Sequence, residues 1–287
     1  MRKLLLLVLL LLAVPAAGVG GTDDGVVHFG VIPRYNPLVM FRSYQPIVDY
    51  LSEVTPYRFE LRVARSYEEA VEFLSNGEVE VASLGDVTFV EAYRAFGAVP
   101  LVRPLNAEGR PYYRSIVIVR KDSPIRTLAD LKGKRFAFGS VHSTSGNLIP
   151  RVLLFQHGVR IEDLAEAANL GKHDIVAKAV LKGEFDAGAV KDVVAERYRP
   201  HGLRFLAESD PIPSVPIVAH PGTDPAVREA VKRALLAVDP DDPAFRERLR
   251  EWDPEFRHGF VEARVEDYRP IFELMDGFER TCGGACH

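Results

Sequence analysis

Cysteine is almost missing from this chain: of 287 residues only Cys282 and Cys286 carry a thiol, both within the last six positions. Everything before them is held by its hydrophobic core without disulfides, which in an oxidising compartment also avoids wrong pairings. Runs of like charge are missing too, at a formal net charge of −4, so neither a nucleic-acid arm nor a polybasic membrane patch is expected. No lysine follows a glycine-rich turn at Walker spacing, and G-x-S-x-G does not occur, so a phosphate-binding NTPase loop and a nucleophile elbow are both excluded. What is present is globular composition, 47% hydrophobic and 26% charged, enough for one large domain or two ordinary ones. The acidic balance does not exclude an anionic ligand, because local donors set affinity for a small anion and net charge mainly sets solubility.

One long apolar run occurs, Leu4–Val14, behind Arg2 and Lys3 and ahead of Pro15, Ala16, Ala17 and Gly18. It is shorter than the roughly 20 residues a membrane anchor needs. Its flanks are those of a cleaved secretory signal peptide, expected over residues 1–18. Loss of Arg2 and Lys3 takes the charge from −4 to −6. A periplasmic protein is expected, with no lipid attachment because no Cys follows the run.

From Val26 onward strands alternate with helices. Val27–Ile32, Tyr57–Ala64, Glu78–Leu84 and Ala98–Val102 read as strands, and Ser43–Val54 and Val87–Phe96 as helices, the first with Pro46 in its opening turn. Ser66 with Glu69 predicts a capping box. A second unit follows, with strands Tyr113–Arg120, Arg135–Gly139, Phe185–Val190 and Leu203–Glu208. Its helices are Leu148–His157, His173–Leu181 and Asp192–Tyr198. Asp224–Pro225 and Asp242–Pro243 each pair an N-cap with proline at the first helical position, and a last helix is expected around Val265–Phe278. The expected fold is α/β and two-lobed, each lobe a mostly parallel sheet flanked by helices, joined by two crossover segments. Residues 26–112 with 216–281 would form lobe 1, residues 113–215 lobe 2, and residues 282–287 a tail. One large doubly wound domain would read similarly.

The strongest local feature is Gly139-Ser-Val-His-Ser143-Thr144-Ser145-Gly146-Asn147, between a strand and a helix. A helix start leaves about four backbone N–H groups unpaired and favours an anion. Three successive hydroxyls there can turn donors toward a tetrahedral oxyanion, and Gly146 lets the backbone approach. Ser and Thr are also ordinary caps, although one hydroxyl suffices for that.

The order of motifs resembles the phosphonate/phosphite-binding components of ABC transporters, which have a type II periplasmic-binding fold. The motifs are Phe29-Gly-Val-Ile-Pro33, Tyr44-Gln-Pro-Ile-Val-Asp-Tyr-Leu51, Tyr113-Arg-Ser-Ile-Val-Ile-Val-Arg-Lys-Asp-Ser-Pro124, Leu128-Ala-Asp-Leu-Lys-Gly133, Ser143-Thr-Ser-Gly-Asn-Leu-Ile-Pro150 and Asp186-Ala-Gly-Ala-Val190. The resemblance implies capture of a small phosphorus oxyanion (phosphonate, phosphite or phosphate) for an ABC permease, by a monomeric, non-enzymatic protein without a cofactor. It implies that Ser143, Thr144 and Ser145 hold the phosphoryl oxygens beside Gly146. Tyr113 would reach the ligand from the crossover, His173 would donate from the second lobe, and Asp192 would lie near. Tyr35 is placed to close the opposite wall. Each residue has a plainer role open to it: Tyr35 as an amphipathic core residue, His173 as a cap, Asp192 as a first-turn acid. Asp86 departs from the family, which commonly has an uncharged pair at Gly85–Asp86. It serves either as an N-cap or as a cleft carboxylate favouring a ligand with an amine or a protonated oxygen.

The tail Cys282-Gly-Gly-Ala-Cys286-His287 is one residue longer than the C-x-x-C-H of covalent haem attachment. A disulfide or free thiol pair, covalent haem and a thiol metal site are its readings, in that order; two Cys and one His leave the metal one ligand short. The rival functions are an oxyanion-sensing subunit for a membrane signalling partner and a haem-bearing redox protein. A third is an enzyme of the tetrapyrrole-forming or thiamine-precursor kind, which shares the bilobal fold.

Overall fold

Short apolar runs and capped helical stretches resolve into two sheets in a computed structural model that describes residues 25–282, with side chains over 25–278. The first half runs β1 (Val26–Val31), α1 (Pro37–Val54), β2 (Arg58–Val63), α2 (Tyr67–Ser75), β3 (Val81–Ser83), α3 (Asp86–Phe96), β4 (Val99–Pro104) and β5 (Tyr112–Tyr113). Then come β6 (Ser115–Arg120), β7 (Arg135–Phe138), α4 (Ile149–Gln156), β8 (Glu166–Asn169), α5 (His173–Lys182), β9 (Ala187–Lys191), α6 (Asp192–Tyr198) and β10 (Leu203–Glu208). The chain closes with β11 (Ile212–Pro213), β12 (Ile217–Ala219), α7 (Pro225–Leu236), α8 (Pro243–Leu249), β13 (Phe260–Glu262) and α9 (Arg269–Cys282).

Lobe 1 carries a six-stranded sheet, order β13-β4-β12-β3-β1-β2, and lobe 2 a five-stranded sheet, order β10-β6-β9-β7-β8. The two-stranded ribbon β5–β11, Tyr113 opposite Ile212 and Tyr112 opposite Pro213, joins them. The sheets are mixed where mostly parallel ones were expected. β1 pairs parallel with β2 and β3, and β7 with β8 and β9, while β12 and β6 pair antiparallel with both neighbours. The cause is the double crossover: β6 is the first strand of its sheet after one passage between lobes and β12 after the other, and each enters its sheet against the βαβ direction.

Local signals place most elements. Asp224 and Asp242 accept the N–H groups of Ala226 and Ala244, both at 2.8 Å, so the two Asp-Pro caps form as read. Ser66 caps α2 by accepting from Glu69 N–H at 3.1 Å. The reciprocal half of the box is absent, because the Glu69 carboxylate turns to Arg65 instead. α1 begins six residues earlier than expected, at an Asn36 cap followed by Pro37. Pro46 therefore lies inside the helix, where it removes one backbone hydrogen bond. The core fills from both faces of each sheet, with Trp252, Tyr44, Tyr268, Phe29, Phe89, Phe136 and Phe138 among the largest fully buried side chains. At the far end of lobe 1, Leu274 and Phe278 of α9 pack on Val152 and Phe155 of α4 in lobe 2. The expected signal peptide, and Cys286 and His287 of the tail, lie outside the described residues, as does the side chain of Cys282. Among the described residues no helix is long and apolar enough to cross a membrane.

Candidate functional site

The parallel strands β1, β3, β7 and β9 end at the cleft between the lobes, the usual place for a ligand in an α/β sheet. From β7 the chain passes through Gly139 into a turn whose residues Thr144–Leu148 form a single π-helical loop ahead of α4. Ser143 caps it: its Oγ accepts the Gly146 N–H at 3.0 Å. Gly146 must be glycine, because a Cβ there would stand 2.9 Å from both His173 Cε1 and Ser143 Oγ. The turn is thereby pressed against α5, with Ser143, Thr144 and Ser145 all buried.

His173, the first residue of α5, lies 3.3 Å from Ser143 through Nε2. Its Nδ1 accepts the backbone N–H of Lys191 at 3.2 Å, so the neutral ring carries its proton on Nε2. Burial, with Arg34 and Lys191 nearby, pushes the imidazole down to about 3, and the ring stays neutral at any ordinary pH. A serine at hydrogen-bond distance from a histidine suggests a nucleophile and its base, a pair not visible in the sequence. Here the tautomer makes the histidine a donor. Ser143 Oγ accepts from Gly146 and from His173, which polarises its own O–H as a donor, with the Tyr67 hydroxyl beside it. The arrangement can grip an anion but cannot take a proton from Ser143.

Thr144 reaches across the cleft. Its Oγ1 accepts the N–H of Val87, in the first turn of α3 in lobe 1, at 2.9 Å. The Ser145 carbonyl accepts from Ser115 Oγ of β6 at 2.7 Å. Asp86 opens α3, but it is not the cap it could have been: Gly85 holds that position, with no side-chain bond. The Asp86 carboxyl is fully buried, and Tyr113 O–H donates to Oδ2 at 2.6 Å. Burial pushes this carboxyl up to about 7 against the pull of Tyr113 and Lys191, with Glu255 adding to the rise.

Sequence reading did not find the charged cluster beside these donors. Arg34, after β1, donates to Glu255 Oε2 at 2.7 Å and to the Tyr44 hydroxyl at 2.8 Å, and lies 3.1 Å from Asp253 Oδ2. Lys191, at the end of β9 in lobe 2, pairs with Glu255 Oε1 and stands 3.9 Å above the Tyr113 ring. Burial alone would raise Glu255, yet Lys191 and Arg34 hold it below the usual carboxylate range. Tyr67 also belongs to this interior, its hydroxyl drawn by Ser143.

The remaining expected residues stand farther out. Tyr35 is buried, with Arg197 over its ring at 4.9 Å. Asp192 spends both oxygens on backbone, accepting from Arg114 N–H at 3.0 Å and Val193 N–H at 2.7 Å. Both line a cavity of about 850 Å³ bordered by Tyr113, Lys191 and Glu255. A second cavity of about 250 Å³ touches Pro33, Tyr67 and Ser140. Among the described residues no group of three His, Cys, Asp or Glu side chains is placed to hold a metal ion.

Comparison with known proteins agrees with this architecture. Residues 29–268 match the family model of the ABC transporter phosphonate periplasmic substrate-binding proteins. The phosphate-import protein PhnD of Mycolicibacterium smegmatis is 29% identical over 282 residues, covering 89% of this chain and 84% of that protein. The phosphonates-binding periplasmic protein of Escherichia coli is 27% identical over 277 residues, covering 91% and 80%. In three dimensions, PhnD1 of Prochlorococcus marinus in complex with methylphosphonate superposes with a TM-score of 0.80 at 22% identity, over 90% of this chain and all of that one.

Proposed function

Because this chain belongs to the family of phosphonate periplasmic substrate-binding proteins of ABC transporters, we propose that it captures a small phosphorus oxyanion between its lobes and delivers it to a membrane permease. The observation that carries this reading is the Ser143–Gly146 turn, which gathers three hydroxyls on lobe 2 and brings one of them, Thr144, to the start of α3 in lobe 1. Those donors are neutral, buried and fixed by backbone contacts, so they cost little reorganisation when an anion arrives. Lobes closing by hinge motion about the β5–β11 ribbon would dry the site and strengthen each contact. Work outside the cytoplasm follows from the family, and removal of residues 1–18 as a signal peptide belongs to the same proposal. So does a single-copy, cofactor-free protein whose Cys282 and Cys286 form a disulfide; a visible absorption band would replace that with haem.

Calorimetric titration with phosphate, phosphite, methylphosphonate, aminoethylphosphonate and sulfate tests the reading. At least one phosphorus oxyanion should bind tightly, and the Ser143→Ala/Ser145→Ala double variant should lose about a hundredfold or more. That corresponds to about 1.5–3 kcal/mol for each hydrogen bond to a charged ligand. Tight sulfate binding with no phosphorus ligand, or undiminished affinity in the double variant, would overturn it.

A further inference from the structure

Charge at the cleft is nearly balanced before any ligand enters. Arg34 and Lys191 are the buried cations, and Glu255 and Asp253 already pair with them. The donors left for an oxyanion, Ser143 O–H and its neighbouring hydroxyls, are neutral, and His173 Nε2–H is spent on Ser143 Oγ. Against them stands Asp86, fully buried beside the Val87 N–H that binds Thr144. One of its oxygens accepts a hydrogen bond from the Tyr113 O–H, and the other, Oδ1, has no hydrogen-bond partner among the described residues. Thr144 is close enough to favour the ionised form without completing a bond to Oδ1. A buried acceptor left without a donor is costly, more so when charged, so this atom is poised for a proton that the ligand or the carboxyl itself must carry.

Resting on the phosphorus-oxyanion reading, we propose that the bound state keeps a single acidic proton between Asp86 Oδ1 and an oxygen of the ligand, so that the site takes a protonated monoanion, or its equivalent with Asp86 protonated, and refuses the pair when both have ionised. Two like charges at hydrogen-bond distance in a buried site repel strongly. One shared proton turns that repulsion into a short O–H···O⁻ bond. The second ionisation of a phosphoryl group falls near neutrality, and burial brings Asp86 to about 7, so the two acids are matched and titrate as a unit. The groups facing Asp86 are Tyr113 from β5, Lys191 from β9, Glu255 from the segment after α8, and Tyr268 ahead of α9. Lys191 and Glu255 neutralise each other, and both tyrosines are held protonated by burial.

Titration of the full chain with methylphosphonate in buffers of different ionisation heat, from about pH 5.5 to about pH 9, counts the protons taken up on binding. We expect uptake approaching one proton at the alkaline end, with affinity falling about tenfold per pH unit there. Asp86→Asn should bind with no uptake and no alkaline fall in affinity, because the amide N–H donates where the shared proton stood. Wild-type binding without uptake at alkaline pH overturns the proposal even if the variant fails to fold. Uptake that persists in folded Asp86→Asn overturns it too, because the proton then lies away from Asp86. Absence of phosphonate, phosphite and phosphate binding at every pH sinks the oxyanion reading itself, and this inference with it.

Discussion

On the lobe 1 wall of the cleft Arg34, Asp253 and Glu255 meet as fully formed ions, tied to lobe 2 through Lys191. The lobe 2 wall presents Ser143, Thr144, Ser145 and a neutral His173, each fixed by backbone contacts and none carrying net charge. The difference separates two tasks. Paired ions set the shape and closure of the cleft, since a buried ion pair is specific in geometry but roughly neutral in net stability. Under the proposed function the neutral donors are the recognising side, and they would bind an anion without a counter-charge to be stripped of water first. Asp86 is the exception in lobe 1: an acid with no fixed cation of its own.

The comparison breaks most visibly at Glu255. Glu255→Gln leaves Arg34 and Lys191 buried without their shared partner, and a loss of about 3–5 kcal/mol is expected in urea unfolding. A change below about 1 kcal/mol there would mean that the cluster is not closed in solution.

Asp86→Asn should act in the opposite direction on the ligand-free protein. The Asp86 carboxyl is raised in the fold, so the folded chain holds a proton that the unfolded chain releases between about pH 4 and about pH 7. Stability therefore falls as pH rises through that window. The asparagine variant escapes the fall, gaining up to about 4 kcal/mol above pH 7 and nothing below pH 4. Denaturant midpoints at the two ends of the window measure this, and an equal gain at both would remove the titration from the account.

The smallest effect belongs to Thr144→Val, which deprives Val87 N–H of its acceptor across the cleft. About 1 kcal/mol of closure should be lost, read as a larger radius in solution scattering of the ligand-free protein. An unchanged radius would confine Thr144 to the bound state.

What could be read from the sequence followed from how local each signal is. The hydroxyl turn, α6 and β10 are spelled by adjacent residues, and both Asp-Pro caps declare themselves within two positions. β8 was not legible: Glu166–Asn169 is mostly exposed and carries no apolar alternation, being a strand only because β7 lies beside it. The charged cluster was invisible for a related reason. Arg34 and Glu255 are separated by 221 positions and Lys191 and Glu255 by 64, and none of them sits in a motif. Asp86 was half legible: its departure from the family pattern could be seen, but only the fold shows that Gly85 takes the cap and sends the carboxyl inward.

The locked ring of His173 reaches beyond its own contacts. With Nδ1 held by the Lys191 amide and the ring unable to gain a second proton until about pH 3, the lobe 2 wall offers the same donors in an acidic pool as in an alkaline one. If Asp86 shares its proton with the cargo as proposed, the response to acidity passes through that pair and not through His173, and the catch becomes a gauge of how the cargo itself is ionised in its surroundings.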